Sequence, residues 1–153
     1  MRKRANSFGR NFKEFKVGEK INHWPGKTIS EAEASIFCMI TMNHHPIHID
    51  KIFSKKTKFK KRIVVGTYIF SLVVGMTVKD ISGKAIANLN YEKVNHSNPV
   101  FIGDTIYATS KIINKTISKK SKRKGKVVIY TQAFNQNKKE VISFYRTILV
   151  PTK

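Results

Sequence analysis

The sequence predicts an α+β domain in which an antiparallel sheet curls around one central buried helix. Three observations predict it. Residues 63–78 form an apolar run with little polar face at helical spacing, which marks a helix surrounded by protein. Four β-branched segments follow it, at 84–95, 105–117, 126–135 and 140–150. Gly103-Asp104 and Asn135-Gln136-Asn137 separate them with residues that favour turns. A single apolar helix and strands long enough to wrap it share one core, so a layered packing follows.

A chain of 153 residues is one domain, read here as a basic tail at 1–11 and a domain at 12–153. Phe15 to Ile29 reads as short extended segments around a Pro25-Gly26 turn. Ser30 at N-cap with Glu33 at N3 is a capping box, opening a helix to about Thr41 in which Ile36, Phe37 and Ile40 fall on one face. Residues 42–50 break that pattern at Pro46, and Asp50 can cap a short helix, Lys51 to Ser54, that fades into a lysine-rich stretch ending at Arg62. The apolar run then contains Gly66, Thr67, Ser71, Gly75 and Thr77 and falls short of the roughly 20 apolar residues a membrane span needs. Its Ser71 reads as a buried serine bonded to a backbone carbonyl. The cationic stretch 118–126, with Gly125, is a long hairpin connection. A sheet this short leaves edges open, so a homodimer or higher homo-oligomer is the expected remedy.

Composition narrows the function classes. Ten Phe and five Tyr within a 41% hydrophobic chain supply a real core, which excludes general disorder. Cys38 is the one cysteine, so the chain forms no internal disulfide and no cysteine-rich zinc site. The N-terminal segment is basic but lacks the apolar stretch of a secretory signal, so a cytoplasmic location and no membrane partner are expected. A net charge of +21 invites a nucleic-acid reading. The cations, however, are 24 Lys and only 6 Arg, whereas base and phosphate recognition favours the bidentate guanidinium. Lys, Ile and Asn together make up 54 residues, a bias that AT-rich coding produces by itself. No nucleic-acid partner is expected.

The densest chemistry is Met42-Asn43-His44-His45-Pro46-Ile47-His48-Ile49-Asp50, with three of the five histidines and a carboxylate. Histidine exchanges protons near neutrality, which suits it to acid–base work. His44 and His48 stand four apart, but Pro46 interrupts the helix that would align them on a metal, so no metal is expected.

These residues carry a resemblance. Asn43-x-x-Pro46-x-His48-x-Asp50, Phe59, Ile63-Val64-Val65-Gly66, Ser71-Leu72 and the later Pro99-Val100-Phe101-Ile102-Gly103-Asp104-Thr105 resemble the MaoC-like dehydratases, the (R)-specific enoyl-CoA hydratases of the hot-dog fold. The resemblance runs from about Phe12 to Val150. It is closest to the mesaconyl-CoA hydratase or β-methylmalyl-CoA dehydratase branch, through Met42-Asn43-x-His45-Pro46, Gly66-Thr67, Asn135 and Ser143-Phe144-x-Arg146.

The resemblance implies a hydro-lyase that adds water to a 2-enoyl-CoA, with coenzyme A as part of the substrate and no separate cofactor. The family's loop carries an aspartate where this chain has Asn43 and an asparagine where it has His45; its histidine is His48. A carboxamide orients water but cannot exchange its proton. His48 is therefore the expected general base or acid, Asn43 a water-positioning partner and His45 a second proton-transfer group. Gly66 resembles the position whose backbone N–H binds the thioester oxygen, and its alternative role is helix-start packing. Arg146 is a candidate contact for a substrate carboxylate, or a salt-bridge residue. Gly103 and Asp104 read as structural, and Trp24 and Tyr91 as core or interface aromatics. The missing aspartate also leaves open an acyl-CoA-binding protein without turnover, and a thioesterase shares the same broad fold.

Overall fold

The computed structural model describes residues 8–119 and 121–153. Residues 1–7 of the expected tail lie outside the described residues. Residues 8–11 lie against the domain, where the Gly9 N–H donates to the Lys79 carbonyl at 2.7 Å and buried Arg10 pairs with Glu19 at 2.7 Å. A 3-10 turn at Phe12–Glu14 leads into β1 (Lys20–Thr28), then α1 (Glu31–Ile40), α2 (Pro46–Ile49), α3 (Lys51–Lys55) and α4 (Gly66–Met76). A π-helical turn (Val78–Ser82) follows, and β2 (Ala87–Asn95), β3 (Thr105–Ile117), β4 (Lys124–Phe134) and β5 (Glu140–Pro151) complete the chain.

All five strands form one antiparallel sheet in the order β1-β3-β4-β5-β2. The fifth strand is β1, built from the segment read as short extended pieces. Pro25-Gly26 does not end it: both residues lie inside β1, where the pairing to β3 shifts between His23 and Lys27. Proline donates no ladder hydrogen bond, and an edge strand with a bulge is where a sheet absorbs it.

The α1 capping box forms as expected, with the Glu33 N–H donating to Ser30 Oγ at 3.2 Å. Lys27 and then Ser30 hold the Glu33 carboxyl down to about 2.

The sheet wraps α4 through its alternating inner residues. Ile69 and Val73 of α4 meet Ile106, Ala108, Ala133, Ile142 and Phe144 in one buried cluster. Phe12, Phe15 and Ile81 fill the other end against Ile112, Ile129 and Ile148. The helix begins three residues later than the apolar run. Ile63 bridges to Phe101 and the Val64 N–H donates to the Val100 carbonyl at 2.8 Å, so the lead-in is extended. Nor is α4 covered on every side: Thr67, Ser71 and Gly75, four residues apart, are exposed. Ser71 is thus on the outer stripe and not buried as expected, because the sheet curls around only one side of the helix in a single chain.

A polar line crosses this core. His23 Nδ1 lies 2.8 Å from Asp80 Oδ2, His23 Nε2 lies 2.9 Å from Ser110 Oγ, and Ser110 Oγ lies 2.8 Å from Thr131 Oγ1. Burial lowers the His23 pKa from its ordinary 6.5 and outweighs the upward pull of Asp80. The neutral ring therefore donates from Nδ1 to Asp80 and accepts the Ser110 hydroxyl at Nε2. Unfolding restores the ordinary pKa, so the unfolded chain takes up more protons as the solution is acidified. The stability held by neutral His23 is complete above about pH 6.5 and falls as pH drops below it. The urea midpoint is expected to decline from pH 7.5 to 5, and His23→Gln is expected to flatten that decline. An equally steep decline in the variant excludes His23 as its source.

Candidate active site

The histidine loop is more ordered than its sequence suggests. Pro46, read as a break, is the first residue of α2, where its missing N–H costs nothing and its fixed φ suits a helix start. Two residues later, α2 presents half-buried His48 with Nδ1 2.8 Å from the Ile63 carbonyl oxygen. A carbonyl only accepts, so Nδ1 carries the proton and Nε2 keeps its lone pair. The bond that orients the ring therefore also leaves a base at the other nitrogen. Asp50 caps α3 as expected, its Oδ1 accepting from Ile52 and Phe53 N–H at 2.7 and 2.9 Å.

His48 and Gly66 line one cavity of about 350 Å³, with Ile63, Ile69, Val100 and Val141 on its apolar walls. Gly66 opens α4, whose N-cap is Val65 and supplies no side-chain bond. Side chains of Ser30, His45 and Asp50 cap α1, α2 and α3. Among the described residues, α4 is thus the α-helix whose first-turn N–H groups are left without a side-chain acceptor, and they sit at the cavity. Such a terminus carries partial positive charge and suits an oxygen bearing negative charge.

The other expected site residues do not line this cavity. Asn43 lies on the loop, its N–H donating to the Cys38 carbonyl at 3.0 Å. The His45 side chain serves as the α2 N-cap, Nδ1 accepting from the Ile47 N–H at 3.2 Å, and its ring centroid is 6.0 Å from that of His48. Arg146 is 1% exposed at the far end of α4, donating from Nη2 to Thr77 Oγ1 at 2.9 Å. Eleven residues of helix separate Gly66 from Thr77, about 16 Å at the helical rise. Burial pulls the Arg146 pKa down, opposed by Tyr91, and its Nε and Nη1 have no hydrogen-bond partner among the described residues. Asp104 locks the turn before β3, accepting from Phe101 N–H at 2.9 Å and from Gln136 Nε2 at 2.8 Å. Among the described residues, no three His, Cys, Asp or Glu side chains gather where they could hold a metal ion.

Sequence reading missed His96. It follows the last residue of β2, lines the cavity with His48, and places its ring against Gly66. A Cβ at Gly66 would lie 3.1 Å from the ring's Cε1 and 3.3 Å from both nitrogens, so glycine here makes room for an imidazole. Nothing in the spacing ties residue 96 to residue 48; its one signal was a histidine three positions before the Pro99 motif.

The MaoC like domain family matches residues 12–133. A mesaconyl-CoA hydratase of Cereibacter sphaeroides is 32% identical over 93% of this chain and 41% of its own length. A solved structure described as a MaoC domain protein dehydratase from Chloroflexus aurantiacus superposes with TM-score 0.91 at 28% identity, over 97% of this chain and 42% of that one. A conserved protein of Mycobacterium tuberculosis with a double hotdog fold superposes with TM-score 0.85 at 19% identity, over 95% of this chain and 45% of that one. The chain spans about two-fifths of the length of the first curated relatives it matches. Its sheet curled around α4 is a hot-dog fold, and the chain belongs to the MaoC-like domain family.

Proposed function

We propose that this chain is a hydro-lyase that reversibly adds water across the double bond of a 2-enoyl-CoA, with mesaconyl-CoA and other short branched or carboxylated esters as candidate substrates. The observation that carries the reading is that His48, whose Nδ1 is taken by the Ile63 carbonyl, lines the same cavity as the uncapped start of α4. In this mechanism His48 Nε2 removes a proton from water as the water oxygen bonds to the β-carbon. The π electrons move onto the thioester oxygen, where the Gly66 N–H and the helix terminus hold the enolate charge. His48 then returns the proton to the α-carbon, so the sum is one water added. Coenzyme A arrives as part of the substrate. A second cavity of about 360 Å³, lined by Lys51, Lys55, Lys60, Lys61 and Arg62, offers cations to its phosphates.

The test is loss of enoyl-thioester absorbance with crotonyl-CoA and mesaconyl-CoA. A specific observation favours one rival: among the described residues, no carboxylate lines the His48 cavity. Tight binding of these esters without hydration establishes the non-catalytic acyl-CoA-binding reading instead.

The partner proposed for the open sheet is a second copy of the chain. β2 is a sheet edge with Leu89 and Val94 exposed, next to exposed Ile86, and matched proteins of about twice the length carry more chain than this fold uses. Light scattering is expected to give twice 17.5 kDa, and Leu89→Lys with Val94→Lys to halve it. A monomer at micromolar concentration overturns this.

A further inference from the structure

We propose that His96 is a second catalytic group of the His48 cavity, donating an imidazole N–H to the thioester oxygen beside the Gly66 backbone. The proposal rests on the hydratase reading and adds the residue that lets one base carry out both halves of the reaction.

The starting point is a shortage of proton-transfer groups. Among the described residues no carboxylate lines the cavity, Asn43 carries no exchangeable acid, and His45 is occupied as the α2 N-cap. His48 must take the proton from water and give it back to the α-carbon, so the enolate has to persist between the two transfers. An oxygen that holds charge for that interval needs more than one preorganised donor. The α4 terminus supplies one at Gly66, and the imidazole nearest to it belongs to His96.

The geometry suits that role. The Nδ1–Cε1–Nε2 side of the His96 ring lies face-on over Gly66, with Cε1 3.1 Å and each nitrogen 3.3 Å from the Cβ position that glycine lacks, so both nitrogens sit beside the start of α4. Neither ring nitrogen has a hydrogen-bond partner among the described residues, so the N–H is available whichever tautomer is present.

The backbone that carries exposed His96 is tied down on its C-terminal side. The Ser97 N–H donates to the Val141 carbonyl at 3.1 Å, Ser97 Oγ to Glu140 Oε1 at 2.9 Å, and Asn98 Nδ2 to the Glu140 carbonyl at 2.8 Å. Two residues further on, the Val100 carbonyl accepts from Val64, two positions before Gly66. The same backbone therefore positions the His96 segment and the start of α4. No proton leaves His96 during the cycle: water loses its proton to His48, the β-carbon gains the oxygen, and His48 protonates the α-carbon while the His96 N–H stays bonded to the thioester oxygen.

The experiment pairs kinetics with a readout that needs no turnover. His96→Phe keeps an aromatic ring against Gly66 but removes the donor; His96→Gln restores an N–H. His96→Phe is expected to lower kcat about 100-fold with KM changed less than threefold, and His96→Gln to recover at least tenfold of that loss. In parallel, carbonyl-¹³C butyryl-CoA, which has no double bond to hydrate, is bound to each protein. Its carbonyl resonance is expected to move downfield on wild type and on His96→Gln, and to move less on His96→Phe. Equal shifts in wild type and His96→Phe, or equal kcat loss in Phe and Gln, overturn the proposal. A wild type that binds butyryl-CoA with the His96-dependent shift but hydrates no enoyl-CoA overturns the hydratase reading alone, and absence of binding overturns both.

Discussion

Replacing His48 by alanine is expected to lower kcat for enoyl-CoA hydration by about 10²–10⁴-fold, the range that general acid–base groups contribute. The effect should lie at the upper end, because among the described residues the cavity has no carboxylate to take over either proton transfer. KM is expected to change little, since His48 acts on water and the bound ester is held by the α4 terminus and apolar walls. The fold should survive: the lost side-chain bond to the Ile63 carbonyl is worth about 1 kcal/mol. His48→Asn refines the test, as an amide can keep a donor to Ile63 without providing a base. The check is steady-state hydration with a thermal melt of each variant. A kcat within threefold of wild type in both would remove His48 from the mechanism.

The largest loss of stability is expected from Phe144→Ala. Phe144 is fully buried on β5 and stacks edge-on with Phe70 of α4 at 5.1 Å and with Tyr91 of β2 at 6.1 Å between ring centroids. It therefore joins the sheet, its edge strand and the wrapped helix at one point. Truncation leaves a cavity that none of the three elements can close alone. The expected cost is about 3–5 kcal/mol, or a Tm lower by roughly 10 °C for a chain of this size. Leu149→Ala, on the outer face of the same strand, should cost less than half as much. Thermal unfolding of the two variants decides the point, and equal losses would mean that Phe144 is not the joint between these layers.

Residues differed in how far their sequence neighbourhood disclosed their role. Ser30 with Glu33, and Asp50 before Ile52, were legible because a cap satisfies N–H groups two or three residues away. β4 and β5 were legible because β-branched runs bounded by turn residues mark strands. Pro46 was ambiguous, since proline both ends and begins helices, and only the backbone around it distinguishes the two. Pro25 misled in the same way, being absorbed into an edge strand by a bulge. The exposure of Ser71 depended on which side of α4 the sheet covers, information that helical periodicity does not contain.

The layered α+β fold, α1, α3, the core helix, the last four strands and the loop that bears His48 were readable from the chain alone, because they follow from local capping, apolar and β-branched patterning and motif spacing, whereas β1 and α2 were not. Tertiary structure decided which groups share a cavity. It turned His45 into a helix cap and buried Arg146 beside Thr77, and it set His96 against Gly66 from 30 residues away. The physical reason is that a site's membership depends on the closure of the sheet around α4, which brings the end of β2 to the start of the helix, and no local pattern encodes that long-range contact.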